Sequence, residues 1–310
     1  MSSNVHLEYR SRPSAIIYMA GALHSSPGFR DGGMPAISAR WLQHRADARE
    51  LRDFIQLSGL ATLEPWTLLY LHTISFALQM AILTHKAFPV PIWRVLQVRN
   101  QLLQIRPLDL AAPLDFYTRI AAHRFLDKGA EIDLHTVASN DDGPVWESLN
   151  TFYVRGRFGQ PSGEGLAPAA PDAGSTWLDH WRMPVGGGRR FGALTGDYNG
   201  LHLVDWYARR LGFERAFLHP QRVLGHCLAR LGPPEPDKPL RLDAWLKGPV
   251  FYGAQVGLRA TVQADATVFA LHVGEEARPA MVGRISQPAV GCRLSFFTVS
   301  AEKMAQGIAS

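Results

Sequence analysis

The stretch Phe191-Gly-Ala-Leu-Thr-Gly-Asp-Tyr-Asn-Gly-Leu-His202 organises our interpretation of this 310-residue chain. It holds a carboxylate, Asp197, and an imidazole, His202, five residues apart, in a segment whose glycines and asparagine suit a turn. Upstream, residues 186–191 are predicted to form a turn and a short strand, and downstream, residues 203–211 have helical character. A strand-to-helix loop of this kind would bring both side chains to one small volume.

This pair of side chains allows two interpretations. A carboxylate and an imidazole within reach of one water molecule are the minimum apparatus for moving protons to and from a carbon acid. Alternatively, Asp197 and Asn199 only cap the following helix, and His202 is a packed surface residue. The spacing alone does not separate the two.

A family resemblance favours the first interpretation. The segment Leu194-Thr-Gly-Asp-Tyr-Asn-Gly-Leu-His202, with Ala208 beyond it, resembles the R-specific enoyl-thioester hydratase motif of the MaoC-like dehydratases. That family has the hot-dog fold, in which an antiparallel sheet wraps around a long helix. The resemblance implies that Asp197 and His202 are the catalytic pair, which holds the water added to a trans-2-enoyl thioester. It also implies that Asn199 and Gly196 fix the loop.

The chain departs from the family pattern at two positions. Gly200 stands where the family usually has proline, and Pro220 follows His219 where the family usually has His-Gly at the start of the central helix. The glycine N–H of that motif binds the thioester oxygen, and proline has no N–H to donate. We therefore expect the N–H of Gln221 or of Arg222 to serve instead, because first-turn amides lack intrahelical partners. His219 is a further candidate for contact with the thioester.

The composition limits the classes of ligand. A formal charge of +5 and a pI near 9.4 suit an anionic ligand, such as coenzyme A or an acidic acyl-carrier protein. Nucleic-acid binding is a poorer interpretation, because no basic run carries interleaved aromatic residues. Arg209 and Arg210, together with Arg222, are candidates for binding the coenzyme A phosphates. We expect no metal ion or bound redox cofactor, since the thioester itself is the substrate.

The two cysteines and the apolar segments indicate the compartment. Cys227 and Cys292 form no metal-binding spacing, and two cysteines in a chain of this size favour a reducing compartment. The longest apolar stretch, residues 66–83, carries His72, Ser75 and Gln79, which favours a buried helix over a membrane span. We expect a cytoplasmic protein with no membrane contact.

An internal repeat is the second most informative feature. The segment Phe54-Ile-Gln-Leu-Ser-Gly-Leu60 resembles Phe191-Gly-Ala-Leu-Thr-Gly-Asp197, and the two are related by a shift of 137 residues from Phe54 to Phe191. In this register Leu60 and Pro65 replace the catalytic pair. A second similarity relates residues 98–108 to residues 240–250, with a shift of 142 from Pro107 to Pro249. Alternating strands are then predicted in each half, at residues 115–126, 130–139 and 145–155, and at 255–263, 267–273 and 278–286.

These features predict an α+β protein of the double hot-dog type, with two curled antiparallel sheets, each around a long central helix. We predict an irregular N-terminal extension (1–38), a first domain that lacks the catalytic pair (39–158), a Pro/Gly/Ala linker (159–175) and a catalytic domain (176–300). Residues 40–57 show helix-like spacing. Because the two halves imitate a dimer, we expect a monomeric pseudo-dimer or a homodimer.

The predicted activity is the (R)-specific hydration of trans-2-enoyl thioesters, or the reverse dehydration, with medium, long or bulky acyl chains. Two alternatives stay open. One is a hot-dog acyl thioesterase, although such enzymes usually depend on a lone carboxylate. The other is an acyl-thioester-binding protein with weak or no turnover, which the loss of an N–H at Pro220 favours.

Overall fold

A computed structural model describes residues 4–21, 24–29, 33–161, 169–235 and 237–294. One eleven-stranded sheet forms its centre, in the order β1-β2-β4-β5-β6-β3-β8-β11-β10-β9-β7. The strands are β1 (Val5–Tyr9), β2 (Ile37–His44), β3 (Val95–Gln104), β4 (Leu114–Leu126), β5 (Gly129–Asn140), β6 (Gly143–Arg155), β7 (Trp177–Arg182), β8 (Leu240–Leu246), β9 (Gln255–Val262), β10 (Ala266–Val273) and β11 (Met281–Ser286). The helices are α1 (Ala15–Gly21), α2 (Ala48–Ser58), α3 (Thr67–Leu83), α4 (Gly188–Thr195), α5 (Asp205–Arg210) and α6 (Pro220–Leu228).

The strand order confirms the internal repeat. Read outward from the β3–β8 pair, one half runs β3-β6-β5-β4-β2 and the other runs β8-β11-β10-β9-β7, so equivalent strands occupy equivalent places. In the antiparallel β3–β8 pair, Gln101 lies directly opposite Asp243 and donates a 3.2 Å hydrogen bond to it. These two residues are also equivalent in the 142-residue shift. A pseudo-two-fold axis therefore passes between them, and the predicted strands that follow in each half are confirmed.

Equivalent helices precede the central helix of each half. Gly59 caps the end of α2 and Gly196 caps the end of α4, and both glycines have a positive φ (70° and 78°), in agreement with the 137-residue shift. The predicted short strand at 186–191 is wrong, because Gly187 (φ 92°) caps a helix that begins at Gly188. The helical spacing predicted from residue 40 is wrong before Ala48, since β2 occupies Ile37–His44.

The central helices differ in length between the halves. Helix α3 has 17 residues and all of them are buried, whereas α6 has only nine. The prediction of a long central helix in each half is therefore wrong for the second half. The sequence Gly232-Pro-Pro234 shortly after α6 prevents continuation, because proline lacks the N–H that a helix needs. Within the described ranges, no helix has the length and apolar character needed to cross a membrane.

The N-terminal residues are ordered where the sequence predicts irregular structure. Strand β1 pairs in parallel with β2, and α1 follows it, so the interpretation of residues 1–38 as irregular is wrong for Val5–Tyr9 and Ala15–Gly21. The reason is that β1 adds to the free edge of β2 and alternates partly buried with exposed side chains. Residues 1–3, 22–23 and 30–32 lie outside the described residues.

The predicted linker is described only in part. Residues 162–168 lie outside the described ranges. Beyond them, Ala170 and Ala173 pack against Val268, Ala270 and Val282, on the face of the sheet that points away from the main core. This end of the linker therefore covers apolar surface, which its composition did not predict. The proposed domain boundaries stay a prediction.

Histidine burial predicts acid sensitivity of the fold. His72 on α3 is fully buried, and burial lowers its pKa from 6.5 to about 3, so the folded protein holds it neutral. The unfolded chain takes up this proton below about pH 6.5, and the free energy of unfolding therefore falls as the pH is lowered from 6.5 towards 3. We expect His72→Leu to reduce this pH slope by about 1 kcal/mol per pH unit. Urea unfolding at several pH values measures it, with His180→Gln on the exposed face of β7 as the control; equal slopes in both variants would contradict the prediction.

Candidate active site

The loop after α4 is fixed by its own side chains. The Oδ1 atom of Asp197 accepts the N–H of Asn199 at 3.0 Å, and the Oδ1 atom of Asn199 accepts the N–H of Leu201 at 3.1 Å. Asn199 thereby caps the 3₁₀ turn Gly200–His202. A side chain at Gly200 would collide with the ring of Tyr207, so the proline of the family pattern does not fit here. The capping interpretation holds for Asn199, and it leaves the Oδ2 atom of Asp197 for other contacts.

His202 is oriented by a backbone carbonyl. Its Nδ1 atom lies 3.0 Å from the carbonyl oxygen of Phe217, and because a carbonyl only accepts, Nδ1 carries the proton. The Nε2 atom then faces the Oδ2 atom of Asp197 at 3.6 Å. Both side chains are almost fully buried, yet they line one cavity. A water molecule in that cavity could contact the carboxylate and the imidazole together.

His219 contacts both members of this pair. Its ring stacks on the ring of His202 with centroids 4.0 Å apart, and its Nε2 atom donates to the carbonyl oxygen of Asp197 at 3.0 Å. Burial, followed by the neighbouring His202, lowers the pKa of His219 well below its usual value, so the ring stays neutral. Because His219 is fully buried, the structure favours a role in orienting the pair over the predicted contact with the thioester.

Hydrogen bonding in the first turn of α6 distinguishes the two backbone amides, of Gln221 and of Arg222, that were predicted to bind the thioester oxygen. The N–H of Arg222 donates to the carbonyl of His219 at 3.0 Å, so the expectation that it binds the thioester oxygen is wrong. The Arg222 guanidinium is also occupied, since it donates to the carbonyls of Leu57 (2.9 Å) and Gly186 (2.6 Å) and joins the end of α2 to the loop before α4. Gln221 follows Pro220 in the first turn and lines the cavity with Asp197 and His202.

Two cavities meet at His202. The smaller, of about 120 Å³, holds Asp197, His202 and Gln221 on one side. The first half of the chain contributes the polar side chain of Gln97 and seven apolar side chains: Phe76, Met80, Leu83, Ile92, Val95, Leu96 and Phe152. The larger, of about 770 Å³, is lined by residues 186–190, which include the first turn of α4, by Tyr252 and by His202. The catalytic candidates of one half thus face side chains of the other half.

The larger cavity carries positive charge that our sequence interpretation missed. Four arginines and one carboxylate, Asp205, line it; the arginines are Arg182, Arg189, Arg215 and Arg190, which is ion-paired with Asp53. The predicted phosphate ligands Arg209 and Arg210 are instead exposed on α5 and line neither cavity, which is a correction. Three consecutive glycines followed by Arg189-Arg190 were the available signal, since such a loop lets a ligand approach the backbone, but we interpreted it only as a turn.

Asp197, His202 and His219 lie close enough together to be considered as metal ligands. One potential ligand atom of each lies within 4.8 Å of those of the other two. The two imidazole rings, however, are stacked with an interplanar angle of 25°, so their nitrogen lone pairs do not point to a common centre. Nε2 of His219 and Nδ1 of His202 are also engaged with carbonyl oxygens. The arrangement therefore suits proton transfer better than metal coordination.

Gly196, which caps the end of α4 immediately before Asp197, should tolerate no side chain. Its φ is 78°, and an added Cβ would meet the Tyr18 hydroxyl and lie 3.2 Å from the Cβ of Ala77. Gly212 has a similar φ of 88°, but a Cβ there would meet nothing within 4 Å. We expect Gly212→Ala to lower the free energy of unfolding by about 1 kcal/mol through backbone strain alone. Gly196→Ala should cost at least about 1 kcal/mol more, measured by chemical unfolding, and equal costs would contradict the packing described here.

Comparison with known proteins supports this description. No protein-family model matches the sequence. The chain is 24% identical over 245 residues to 3-hydroxyacyl-thioester dehydratase X of Mycobacterium tuberculosis, a match that covers 77% of this chain and 84% of that protein. Among solved structures, a MaoC-like dehydratase from Phytophthora capsici superposes with a TM-score of 0.64 at 18% identity, over 83% of this chain and 96% of the other.

A second structural neighbour bears on the architecture. A conserved protein of Mycobacterium tuberculosis described as having a double hot-dog fold superposes with a TM-score of 0.55 at 13% identity, over 86% of this chain and 99% of the other. The double hot-dog architecture is therefore shared with this chain, in which the two halves form one continuous sheet. The resemblance to MaoC-like dehydratases that the segment at residues 194–202 indicated is thereby confirmed.

Proposed function

We propose that this protein is a hydro-lyase that hydrates trans-2-enoyl thioesters to (3R)-3-hydroxyacyl thioesters and catalyses the reverse dehydration. One observation carries the proposal. The Asp197 carboxylate and the His202 imidazole lie 3.6 Å apart, with fixed orientations, where an apolar cavity meets a basic one. An acyl thioester has two parts that match these cavities: its acyl chain is apolar, and its coenzyme A or carrier arm is anionic.

The geometry supports a mechanism in which the pair activates water. In hydration, Asp197 and His202 orient a water molecule, remove its proton and deliver a proton to C2, while the water oxygen bonds to C3. Nε2 of His202 is free to take the proton because Nδ1 is held by the Phe217 carbonyl. Dehydration uses the same groups in reverse. Each group typically contributes about 10²–10⁴ to the rate of such reactions.

Negative charge develops on the thioester oxygen during the reaction and needs a donor. Pro220 has no N–H, so we assign this role to the backbone N–H of Gln221 at the second position of α6. Its placement beside Asp197 and His202 supports the assignment. The positive end of the α6 dipole adds to the stabilisation of the oxyanion.

The cavities suggest how the substrate lies. The acyl chain would run from His202 into the apolar wall formed by α3, β3 and β6, and the carrier phosphates would lie near the four arginines. Among the apolar side chains that line this cavity, Leu96 is 45% exposed, and Trp93, which precedes it in the chain, is 48% exposed. A chain longer than the 120 Å³ cavity would cover these side chains, which supports medium or long acyl substrates.

The alternative of a binding protein without turnover rests on Pro220. If the Gln221 amide does not replace the missing donor, the loss typically lowers the rate about 10²–10³-fold. Such a protein would still bind enoyl thioesters in both cavities. No feature of the described site favours a hot-dog thioesterase. Such enzymes usually depend on a lone carboxylate, whereas the carboxylate here is paired with an imidazole.

The direct test is a steady-state assay with enoyl-coenzyme A thioesters of four, eight and more carbons. We expect Asp197→Asn and His202→Ala each to lower kcat by about 10²–10⁴-fold, because each removes one proton-transfer group. Substrate binding, measured by calorimetry on the variants, should change little. Inactivity of the wild-type protein on every chain length, with retained binding, would support the binding protein instead, and release of free coenzyme A would support the thioesterase.

A second test concerns the carrier. Charge reversal in Arg189→Glu or Arg215→Glu should raise KM for enoyl-coenzyme A by about tenfold and leave kcat within about twofold, because these residues line the basic cavity and lie away from the reacting carbons. Arg209→Glu and Arg210→Glu are the matched controls, with the same change of charge on exposed α5. Equal KM values in both pairs of variants would show that the basic cavity does not bind the substrate.

A further inference from the structure

The last turn of α4 receives donors from the N-terminal segment of the chain. The final carbonyl groups of a helix have no intrahelical partners and need donors from elsewhere. The Arg12 guanidinium donates to the carbonyl of Ala193 at 2.8 Å, and the Tyr18 hydroxyl on α1 donates to the carbonyl of Gly196. Residues almost 180 positions earlier in the chain thus reach the loop that holds Asp197.

The second of these contacts acts on one particular peptide group. The Gly196–Asp197 peptide presents its carbonyl to the Tyr18 hydroxyl and its N–H to the Oγ1 atom of Thr195, at 2.9 Å. It is therefore held at both ends. Since a peptide group is planar, fixing both ends fixes the direction in which the chain enters Asp197 and hence where the carboxylate points.

Tyr18 is well placed to hold this peptide firmly. The ring is 4% exposed and packs in the main core, so the hydroxyl has little freedom. Burial, and then the Asp197 charge, raise the pKa of Tyr18 far above its usual range, so the hydroxyl remains a donor at any working pH. Gly196 makes the close approach possible, because a Cβ there would collide with this hydroxyl.

We propose that Tyr18 is a positioning residue for catalysis, which fixes the Asp197 carboxylate through the Gly196–Asp197 peptide. Tyr18 lines neither of the two cavities at His202, so it acts without touching the substrate. The N-terminal segment β1–α1 is thus part of the active-site support. This inference rests on the proposed function, because it assigns a consequence to the position of Asp197.

The test compares Tyr18→Phe with Ile16→Ser. The first removes only the hydroxyl, and the second changes a side chain on the same helix that is 82% exposed. We expect Tyr18→Phe to lower kcat about tenfold and to leave KM unchanged, while Ile16→Ser keeps both values. The Tm of each variant is measured as well, and the kinetics are compared well below the lower Tm. An unchanged kcat in Tyr18→Phe, or an equal loss in Ile16→Ser, would overturn the inference.

A double-mutant cycle separates positioning from general stabilisation. In an Asp197→Glu background the carboxylate is already displaced, so the added Tyr18→Phe should lower kcat much less than in the wild type. Full additivity would show that Tyr18 acts independently of Asp197 and would reject the proposal. The proposed function fails separately: it fails if Asp197→Asn keeps wild-type turnover, whereas an inactive Asp197→Asn with normal kcat in Tyr18→Phe rejects only the present inference.

Discussion

The antiparallel pairing of β3 with β8 is the interaction on which the rest of the structure depends. It joins six strands of the first half, including β1, and five strands of the second half into one sheet, and it places a pseudo-two-fold axis between Gln101 and Asp243. This pairing removes one edge from each half, and those edges would otherwise expose unpaired N–H and C=O groups. It also fixes how the two halves face each other. The central helix of the first half therefore lies beside the loop that carries Asp197 and His202, and the apolar wall of the smaller cavity comes from α3 and β3.

The duplication allows the halves to diverge. In the first half, Leu60 follows the cap Gly59 where Asp197 follows Gly196, and helix α3 is buried along all of its 17 residues. The second half keeps the polar pair and shortens its helix to nine residues. A symmetric dimer could not make these two changes separately, because each would appear in both subunits. The asymmetry explains why one half supplies the polar groups of the site and the other supplies its apolar wall.

Local patterns in the sequence predict six of the eleven described strands, the repeat and the proximity of Asp197 and His202. Alternating side chains marked β4 to β6 and β9 to β11, and the Gly59–Gly196 equivalence marked two helix ends. The features that these local patterns do not predict depend on contacts between distant segments. β1 is ordered only because the edge of β2 is free, and Arg222 is occupied only because Leu57 and Gly186 come close. The basic cavity is likewise built from Arg182, Arg189 and Arg215, which lie on separate segments. Arg209 and Arg210 have the charge expected of phosphate ligands, but on α5 they are exposed to solvent.

In the proposed mechanism, one water molecule is held between Asp197 and His202 beside an enoyl chain. A crystal structure of the Asp197→Asn protein with an unreacted enoyl-coenzyme A bound would test this most directly. The account predicts that C3 of the acyl chain lies next to His202 Nε2, with the thioester oxygen within hydrogen-bonding distance of the Gln221 N–H. The chain should enter the wall of Phe76 and Leu96, and the phosphates should lie near Arg189. A thioester bound outside these two cavities, or with its reacting carbons turned away from His202, would contradict it.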